Sequence, residues 1–389
     1  MSVKILVVDD EPDLEQLVLQ KFRKKIRAKE YEFVFAQNGV QALDTLKQDG
    51  SIELVLTDIN MPEMDGLTLL REMNSLDNKL LRSVIVSAYG DMENIRTAMN
   101  LGAYDFVTKP IDLADLEITV EKSLKNLALL KEALKGREQL VSIRRELDIA
   151  TSIQIGILPK TFPAFPDRRE FDIYAHMITA KEVGGDLYDF FLIDKYRLGL
   201  IIGDVSGKGV AAAMLMAVSK TLLQASALKG NPTDTSLSEV NKVLVENSPS
   251  NMFVTVFYGI LDSRSGAFEY CNGGHNPPYL LSKDGKVSQV ENIGGLVLGA
   301  MKEIEYESNV TMLQPGETIF FYTDGVTEAE NKKEDQYEEE RLEACLSKNQ
   351  KSALKEIIDN VFSEVQSFSE GMHQADDITC LAVRYLGKN

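Results

Sequence analysis

Cysteine is scarce in this chain. Cys271, Cys345 and Cys380 stand far apart among 389 residues, with no Cys-x-x-Cys. An odd, sparse count excludes a disulfide scaffold and a structural zinc site, and it points to a reducing compartment. Basic residues are short as well: 42 Lys plus Arg face 60 Asp plus Glu, a formal charge of −18. A chain this acidic has no general affinity for phosphate backbones, so nucleic-acid binding would need a local basic patch. The same balance suits sites built from carboxylates and divalent metals. No apolar run approaches the ~18 residues of a membrane span, and the start turns acidic at Asp9 and Asp10, too soon for a signal peptide. Internal repeats and long low-complexity tracts are missing too. The remainder is ordinary, 44% hydrophobic and 26% charged, which excludes wholesale disorder. At roughly 100–200 residues per domain the length fits two or three domains. The expectation is a cytoplasmic, multidomain, metal-friendly protein.

The first segment alternates strands with helices. Ile5-Leu6-Val7-Val8, Leu54-Val55-Leu56 and Val84-Ile85-Val86 are short continuous apolar runs, as in strands buried on both faces of a parallel sheet. Phe33–Ala36 and Phe106-Val107 complete five strands, with helical patterns at Leu14–Phe22 and Val40–Leu46. This predicts a doubly wound α/β domain, whose ligand site lies beyond the carboxyl ends of the strands. A helical stretch follows over about 113–158, its apolar positions spaced by three and four, with a slip at Gly136 read as a local defect. It suits a coiled coil or a packed signalling helix, or else an amphipathic helix folded onto its own domain. Pro159, Pro163 and Pro166 end it. The third segment mixes strands at Leu198–Ile202, Met252–Leu261, Thr318–Tyr322 and Ile378–Tyr385 with two or three helices, among them Val210–Leu228 and Ala353–Phe368. That order predicts an α/β sandwich, with Glu328–Glu343 as a solvated helix or flap. The expected boundaries are 1–122, 123–160 and 161–389.

Asp9 and Asp10 follow the first strand, and Asp58 follows the third. In a parallel sheet these ends are neighbours, and three carboxylates repel one another unless a cation sits among them. Mg²⁺ is the natural occupant. Ser87 and Lys109 add a hydroxyl and an ammonium to the same edge, which makes one carboxylate a nucleophile with phosphoryl-stabilising donors beside it.

Val7-Val8-Asp9-Asp10-Glu11-Pro12, the run Thr57–Gly66, Ser87-Ala88 and Thr108-Lys109-Pro110 together resemble the response-regulator receiver family over about 3–120. The resemblance implies a flavodoxin-like five-stranded fold in which Asp58 accepts a phosphoryl group from a sensor histidine kinase. It implies that Asp9, Asp10, Asp58 and the Asn60 carbonyl hold Mg²⁺. Ser87 would follow the phosphoryl group, Phe106 would switch rotamer, and Lys109 would pair with the phosphoryl oxygen across a cis Lys109–Pro110 bond. Phe106 stands where many members have Tyr, which removes a hydroxyl from the switch.

The third segment carries a second acidic set: Gly184-Gly185-Asp186, Asp189, Gly203-Asp204-Val205-Ser206-Gly207-Lys208-Gly209, Thr323-Asp324-Gly325 and Asp376-Asp377. Each acid lies at a strand end beside a glycine or another small residue, where backbone can approach a ligand. Several acids with no Lys or Arg interspersed point to two metals that activate water and clamp a phosphate. The lack of paired histidines and clustered cysteines favours Mn²⁺ or Mg²⁺ over zinc. Gly203–Gly209 lacks the residue order of a P-loop. Taken singly, Asp324-Gly325 reads as a turn and Asn272-Gly-Gly-His275-Asn-Pro-Pro as a loop with one structural histidine.

In order, Glu182–Asp189, Gly203–Gly209, Asn272–Pro278, Tyr322–Glu328 and Asp376–Thr379 resemble the PPM-type serine/threonine phosphatases of the bacterial SpoIIE/RsbU class, over about 170–385. The resemblance implies a β-sandwich with a dinuclear centre and hydrolysis of phosphoserine or phosphothreonine by direct in-line attack of water. Asp204 would bridge the metals and Asp186 would serve one side. Asp324 and Asp376 would serve the other, with Asp377 as an alternative and the Val205 carbonyl as a backbone ligand. The early arginine that some relatives use to hold phosphate is missing. Arg145–Pro159 looks like the regulatory helix of these phosphatases.

The combined expectation is a receiver-controlled, metal-dependent protein phosphatase that dimerises through the helix. Its implied substrate is a phosphorylated anti-sigma-factor antagonist of the STAS type. A receiver-controlled, non-catalytic binding module that sequesters a signalling partner is the alternative. A transcription factor is disfavoured by the acidic charge and the lack of a helix-turn-helix segment.

Overall fold

The computed structural model describes residues 2–76, 78–88, 90–247 and 252–387. It divides into two compact units, Met1–Ser142 and Ile143–Asn389.

In the first unit the five expected strands form one parallel sheet. They are β1 (Val3–Val8), β2 (Tyr31–Ala36), β3 (Ile52–Asp58), β4 (Arg82–Ala88) and β5 (Asp105–Lys109), in the order β2-β1-β3-β4-β5. The helices are α1 (Pro12–Lys21), α2 (Arg23–Arg27), α3 (Gly39–Gln48), α4 (Gly66–Ser75) and α5 (Met92–Asn100). Side chains alternate across the sheet, so Ile5 and Val7 enter one core while Leu6 and Val8 enter another. Burial on both faces is why these strands read as unbroken apolar runs. Asn38 and Asp65 cap α3 and α4 by accepting from the amides of Gln41 and Thr68.

Helix α6 runs unbroken from Leu113 to Ile157, and the division between the units falls inside it. The expected defect at Gly136 is not there. A β-carbon on Gly136 would meet nothing within 4 Å, so the slip in spacing marks a solvated stretch rather than a break.

The second unit is a sandwich of two five-stranded antiparallel sheets. One has the order β13-β10-β9-β8-β7 and the other β12-β11-β14-β15-β6. The strands are β6 (Phe171–Ile178), β7 (Leu187–Leu192), β8 (Arg197–Val205), β9 (Val254–Asp262), β10 (Ala267–Gly273), β11 (Tyr279–Leu281), β12 (Val287–Gln289), β13 (Ser308–Met312), β14 (Thr318–Tyr322) and β15 (Ile378–Tyr385). Five helices accompany them, more than the two or three expected: α7 (Val210–Ala227), α8 (Thr233–Asn247), α9 (Asp324–Thr327), α10 (Glu338–Asn349) and α11 (Leu354–Phe368). The first two pack on the first sheet and the last two on the second. Between the sheets, Phe321 meets Phe257 and Phe268 edge-on.

Two further expectations change. The Glu328–Glu343 stretch is not simply solvated, because Tyr337 and Leu342 within it are buried. An apolar run of membrane length does exist by composition: α7 has 18 residues of mean hydropathy 1.4. It lies along the sandwich and buries Leu215, Met216 and Leu223 against it.

That helix also carries a buried charge. Lys220 Nζ stands 2.9 Å from Asp189 Oδ2 on β7, with both side chains nearly sealed from water. Removing one partner of such a pair leaves an uncompensated charge in the core. Lys220→Met is therefore expected to destabilise the second unit by about 3–5 kcal/mol. Lys220→Met combined with Asp189→Leu should recover most of the loss, as read from urea-unfolding midpoints of the full chain.

Candidate functional site

Asp9, Asp10 and Asp58 meet at the carboxyl edge of the parallel sheet, each offering an oxygen within 4.8 Å of the others. Among the described residues they are the one acidic group drawn that close. Lys109 lies across them, with Nζ 2.5 Å from Asp58 Oδ2, 3.0 Å from Asp9 Oδ2 and 3.4 Å from Glu11. Burial works against its ammonium, but hydrogen bonds and charge from Asp58 and Asp9 outweigh it and raise its pKa. Burial raises the Asp9 pKa. Asp9 Oδ2 is buried with the ammonium 3.0 Å away, and a carboxylate oxygen so paired keeps a lone pair for a cation. Asn60 N–H donates to Asp58 Oδ1 at 3.2 Å. Ser87 Oγ is buried without a partner at the end of β4, and Phe106 on β5 is exposed. The Lys109–Pro110 bond is cis. Three hard carboxylate donors drawn within 4.8 Å of one another fit Mg²⁺.

The second acidic set is divided between the two sheets. Asp186 precedes β7 and Asp204 ends on β8, while Asp324 follows β14 and the pair Asp376-Asp377 precedes β15. Buried polar contacts tie the sheets at this end. Asp186 Oδ2 accepts from Thr323 Oγ1 at 2.8 Å and from Thr379 Oγ1. Asp377 reaches the other way, with Oδ1 accepting from Ala180 N–H at 2.8 Å and Oδ2 from Gly185 N–H at 2.7 Å. Gly184 and Gly325 allow this approach, since a β-carbon at either would collide with Asp377. Asp377 is thus turned inward as a clamp, and Asp376 is the partly exposed member of the pair. The Val205 carbonyl faces the same loop, 2.8 Å from where a β-carbon on Gly185 would lie.

His275 makes a third tie. Its Nε2 lies 3.1 Å from the Tyr322 carbonyl and its Nδ1 2.9 Å from Thr255 Oγ1. A carbonyl can only accept, so Nε2 carries the proton and Nδ1 accepts from the threonine. Thr255 Oγ1 in turn accepts from Asp204 N–H at 3.3 Å. The histidine loop therefore links the strand that ends before Asp324 to the strand that ends at Asp204. The Asn272 side chain holds it, accepting from His275 N–H at 2.8 Å and donating to the His275 carbonyl at 2.9 Å.

Two residues escaped the sequence reading. The acids are not free of cations: Lys208 Nζ lies 2.8 Å from Asp376 Oδ2 and donates to the Ala375 carbonyl at 2.6 Å. Lys208 stood in plain view within Gly203–Gly209, but its reach across to the other sheet has no sequence signal. Gln154, inside the stretch read as a regulatory helix, is the second. It is buried at the end of α6, where Nε2 donates to the Gly184 carbonyl at 2.5 Å and Oε1 accepts from Gly184 N–H at 3.1 Å. Its place on the three-and-four spacing of Leu147, Ala150 and Ile157 was the available clue.

Crowding shows in the titration of the acids. Burial, then the nearby Asp324, Asp376 and Asp377, push Asp204 up to about 7. Burial, then Glu328 and Asp376, push Asp324 up to about 6. Burial and Asp204 hold Asp186 well above the carboxylate range. Burial lowers His275 to about 4, so the imidazole is neutral at physiological pH. All-oxygen donors that resist ionising together are the donor set that divalent Mn²⁺ or Mg²⁺ would relieve.

These features define a signalling protein in which an aspartate-centred receiver is joined to a PP2C-type sandwich. Residues 5–121 match the response regulator receiver domain, and residues 194–386 match the family described as Stage II sporulation protein E (SpoIIE). Protein IcfG of Synechocystis is 33% identical over 267 residues, 62% of this chain and 41% of that protein. The phosphoserine phosphatase RsbU of Bacillus subtilis is 28% identical over 253 residues, 65% of this chain and 73% of that protein. The SiaA-PP2C domain of Pseudomonas aeruginosa, at 20% identity, shares the fold with a TM-score of 0.56 over 64% of this chain and 98% of its own. The chain thus spans about two fifths of one curated relative and about three quarters of the other. It belongs to the response-regulator receiver family through its first unit and to the SpoIIE family through its second.

The raised carboxylate values give a pH signature. The unfolded chain ionises these acids near 3.8, but folded Asp324 and Asp204 ionise near 6 and 7. Metal-free stability from these groups is therefore lost as pH rises through that window. His275 acts in the opposite sense, costing stability as pH falls from 6.5 to about 4. Mn²⁺ needs the ionised acids, so it is expected to raise the thermal midpoint of the second unit more at pH 8 than at pH 5. Scans with Mn²⁺ and with a chelator check this, and equal shifts at both pH values would contradict it.

Proposed function

We propose that this chain is a response regulator in which phosphorylation of Asp58 by a sensor histidine kinase controls a metal-dependent protein serine/threonine phosphatase. In the receiver, Asp9, Asp10, Asp58 and the Asn60 carbonyl hold Mg²⁺. Lys109 and Ser87 meet the phosphoryl oxygens, and Phe106 moves with them. In the sandwich, Asp186, Asp204, Asp324, Asp376 and the Val205 carbonyl would hold two Mn²⁺ or Mg²⁺ ions, with Asp204 serving both. Asp377 holds the Gly184-Gly185 loop in place. Bound there, the ions supply positive charge that activates water and stabilises phosphoryl transfer. The chain's own residues bring the two halves of the site to a common end of the sandwich and keep them in register.

The observation that carries this reading is the convergence of Asp186, Asp204, Asp324 and Asp376 from four separated segments onto one end of the two sheets, tied there by buried hydrogen bonds. A module that only bound a partner would have no need to hold unfavourably crowded acids together. The likeness to the phosphoserine phosphatase RsbU supports the activity class. We extend it to the substrate, a phosphorylated STAS-type anti-sigma-factor antagonist in a partner-switching pathway.

Control runs through the helix. Gln154 brackets Gly184 on both its N–H and its carbonyl, and Thr151 Oγ1 donates to the Glu182 carbonyl at 2.5 Å. A shift of that helix end would move the loop that carries Asp186. Leu140, Ile143, Ile149 and Ile153 are exposed on the same helix, and a second copy of the chain would cover them in a dimer. The domain boundaries follow as a receiver over 1–122, a helical linker over 123–160 and a phosphatase over 161–389, in a cytoplasmic protein that needs neither nucleic acid nor membrane.

The test is hydrolysis of an aryl phosphate and a phosphoserine peptide by the purified chain with Mn²⁺, with and without beryllofluoride. Asp204→Asn is expected to lower kcat/KM by at least about 100-fold, and Gln154→Ala by about 10-fold through looser loop placement. Beryllofluoride should change the rate of the wild type and not that of Asp58→Ala. Turnover indifferent to Asp204 would sink the assignment of the site.

A further inference from the structure

The cation that holds the substrate phosphate has no residue in the sequence reading. A phosphate ester carries negative charge into a site already crowded with carboxylates. Four ligating acids offset by two divalent ions leave no surplus positive charge, while Asp377 and Glu328 remain nearby. Among the described residues, Lys208 is the one cation in an ion pair with a member of the set Asp186, Asp204, Asp324 and Asp376.

Lys208 is placed for that task. It stands between Gly207 and Gly209, whose φ values of +90° and +86° turn the loop so that the side chain projects from the first sheet toward the second. A β-carbon at either glycine would meet nothing, so the loop is free of side-chain walls. The ammonium is bound to the Ala375 carbonyl and to Asp376, yet the side chain is 41% exposed. With Gly325, Glu328 and Asp376 it lines a cavity of about 500 Å³, and Asp376 is the one member of the acidic set in that lining. It therefore stands where Asp376 meets that cavity.

We propose that Lys208 is the phosphate-holding cation of this site, donating from Nζ to an oxygen of the substrate phosphoryl group. The role rests on the phosphatase reading above. Its contact with Asp376 is then the resting partner, exchanged for phosphate when substrate arrives. Lys208 also spans the two sheets, so a purely structural strut is the competing role, and the two differ in what they move. An anchor sets phosphate affinity, whereas a strut sets the metal site and the fold.

The experiment compares wild type, Lys208→Met and Lys208→Arg as full chains with Mn²⁺. Steady-state hydrolysis of para-nitrophenyl phosphate is measured with inorganic phosphate as inhibitor, and Mn²⁺ and phosphate binding are measured by calorimetry. Lys208→Met is expected to raise KM and the phosphate inhibition constant together by about tenfold, with a smaller fall in kcat. Mn²⁺ affinity should hold or rise, because Asp376 loses a competitor. Lys208→Arg should recover most of the phosphate affinity. Unchanged KM and phosphate inhibition in Lys208→Met would overturn the proposal, as would weakened Mn²⁺ binding with phosphate affinity untouched. A wild type without turnover would instead sink the phosphatase reading. In that case, phosphate binding to Mn²⁺-loaded protein would still decide the role of Lys208.

Discussion

Repulsion between carboxylates crowded at strand ends is the constraint on which both units are built. In the receiver it is met by one ammonium, Lys109, lying across Asp9 and Asp58. In the sandwich it is met piecemeal: threonine hydroxyls serve Asp186, backbone amides serve Asp377, and Lys208 serves Asp376. None of these removes the cost entirely, as the raised values of Asp204 and Asp324 show. The structure tolerates that cost because the acids sit at the ends of well-packed strands, where the core beneath them is already complete. Stability comes from the aromatic and aliphatic layer between the sheets, and the strained charges are confined to one rim.

Much of this was legible in the sequence, and the reason differs between units. A parallel sheet covered on both faces leaves continuous apolar runs, so all five strands of the first unit stood out, and their end residues identified the site. The antiparallel sandwich was harder. Strands such as β11 and β12 are three residues long, and β13 alternates between exposed and half-buried positions, so neither carries a strong signal. Helix α8 went unread although it buries Leu237, Val240 and Leu244, because Pro232 and the polar residues around it look like a loop. The acidic motifs were found because each stands beside glycine or another small residue. What they lacked was their geometry: which member of Asp376-Asp377 turns inward is a matter of where the Ala180 and Gly185 amides point. That Lys208 reaches Ala375 depends on a pairing of loops 167 residues apart.

Gln154 and His275 show why polar residues inside these elements matter more than their neighbours. Each is buried and hydrogen-bonds backbone groups of a distant segment, so each fixes position as well as contributing stability. A histidine that stays neutral and in one tautomer serves as a spacer between two strand ends, and its chemistry in the usual catalytic sense is unused.

The pairing of β15 with β6, in register from Ile378 opposite Ile178 to Tyr385 opposite Phe171, has a consequence for biogenesis. The second sheet closes only when a strand some two hundred residues downstream joins the one made first. Closing so long a loop is slow and must precede any reward from the contact. A ribosome-bound chain that has already exposed Asp186, Asp204 and Asp324 still lacks Asp376 and the Asp377 clamp. The acidic rim is thus incomplete until the last strand arrives, and it is completed in the same step that completes the sheet.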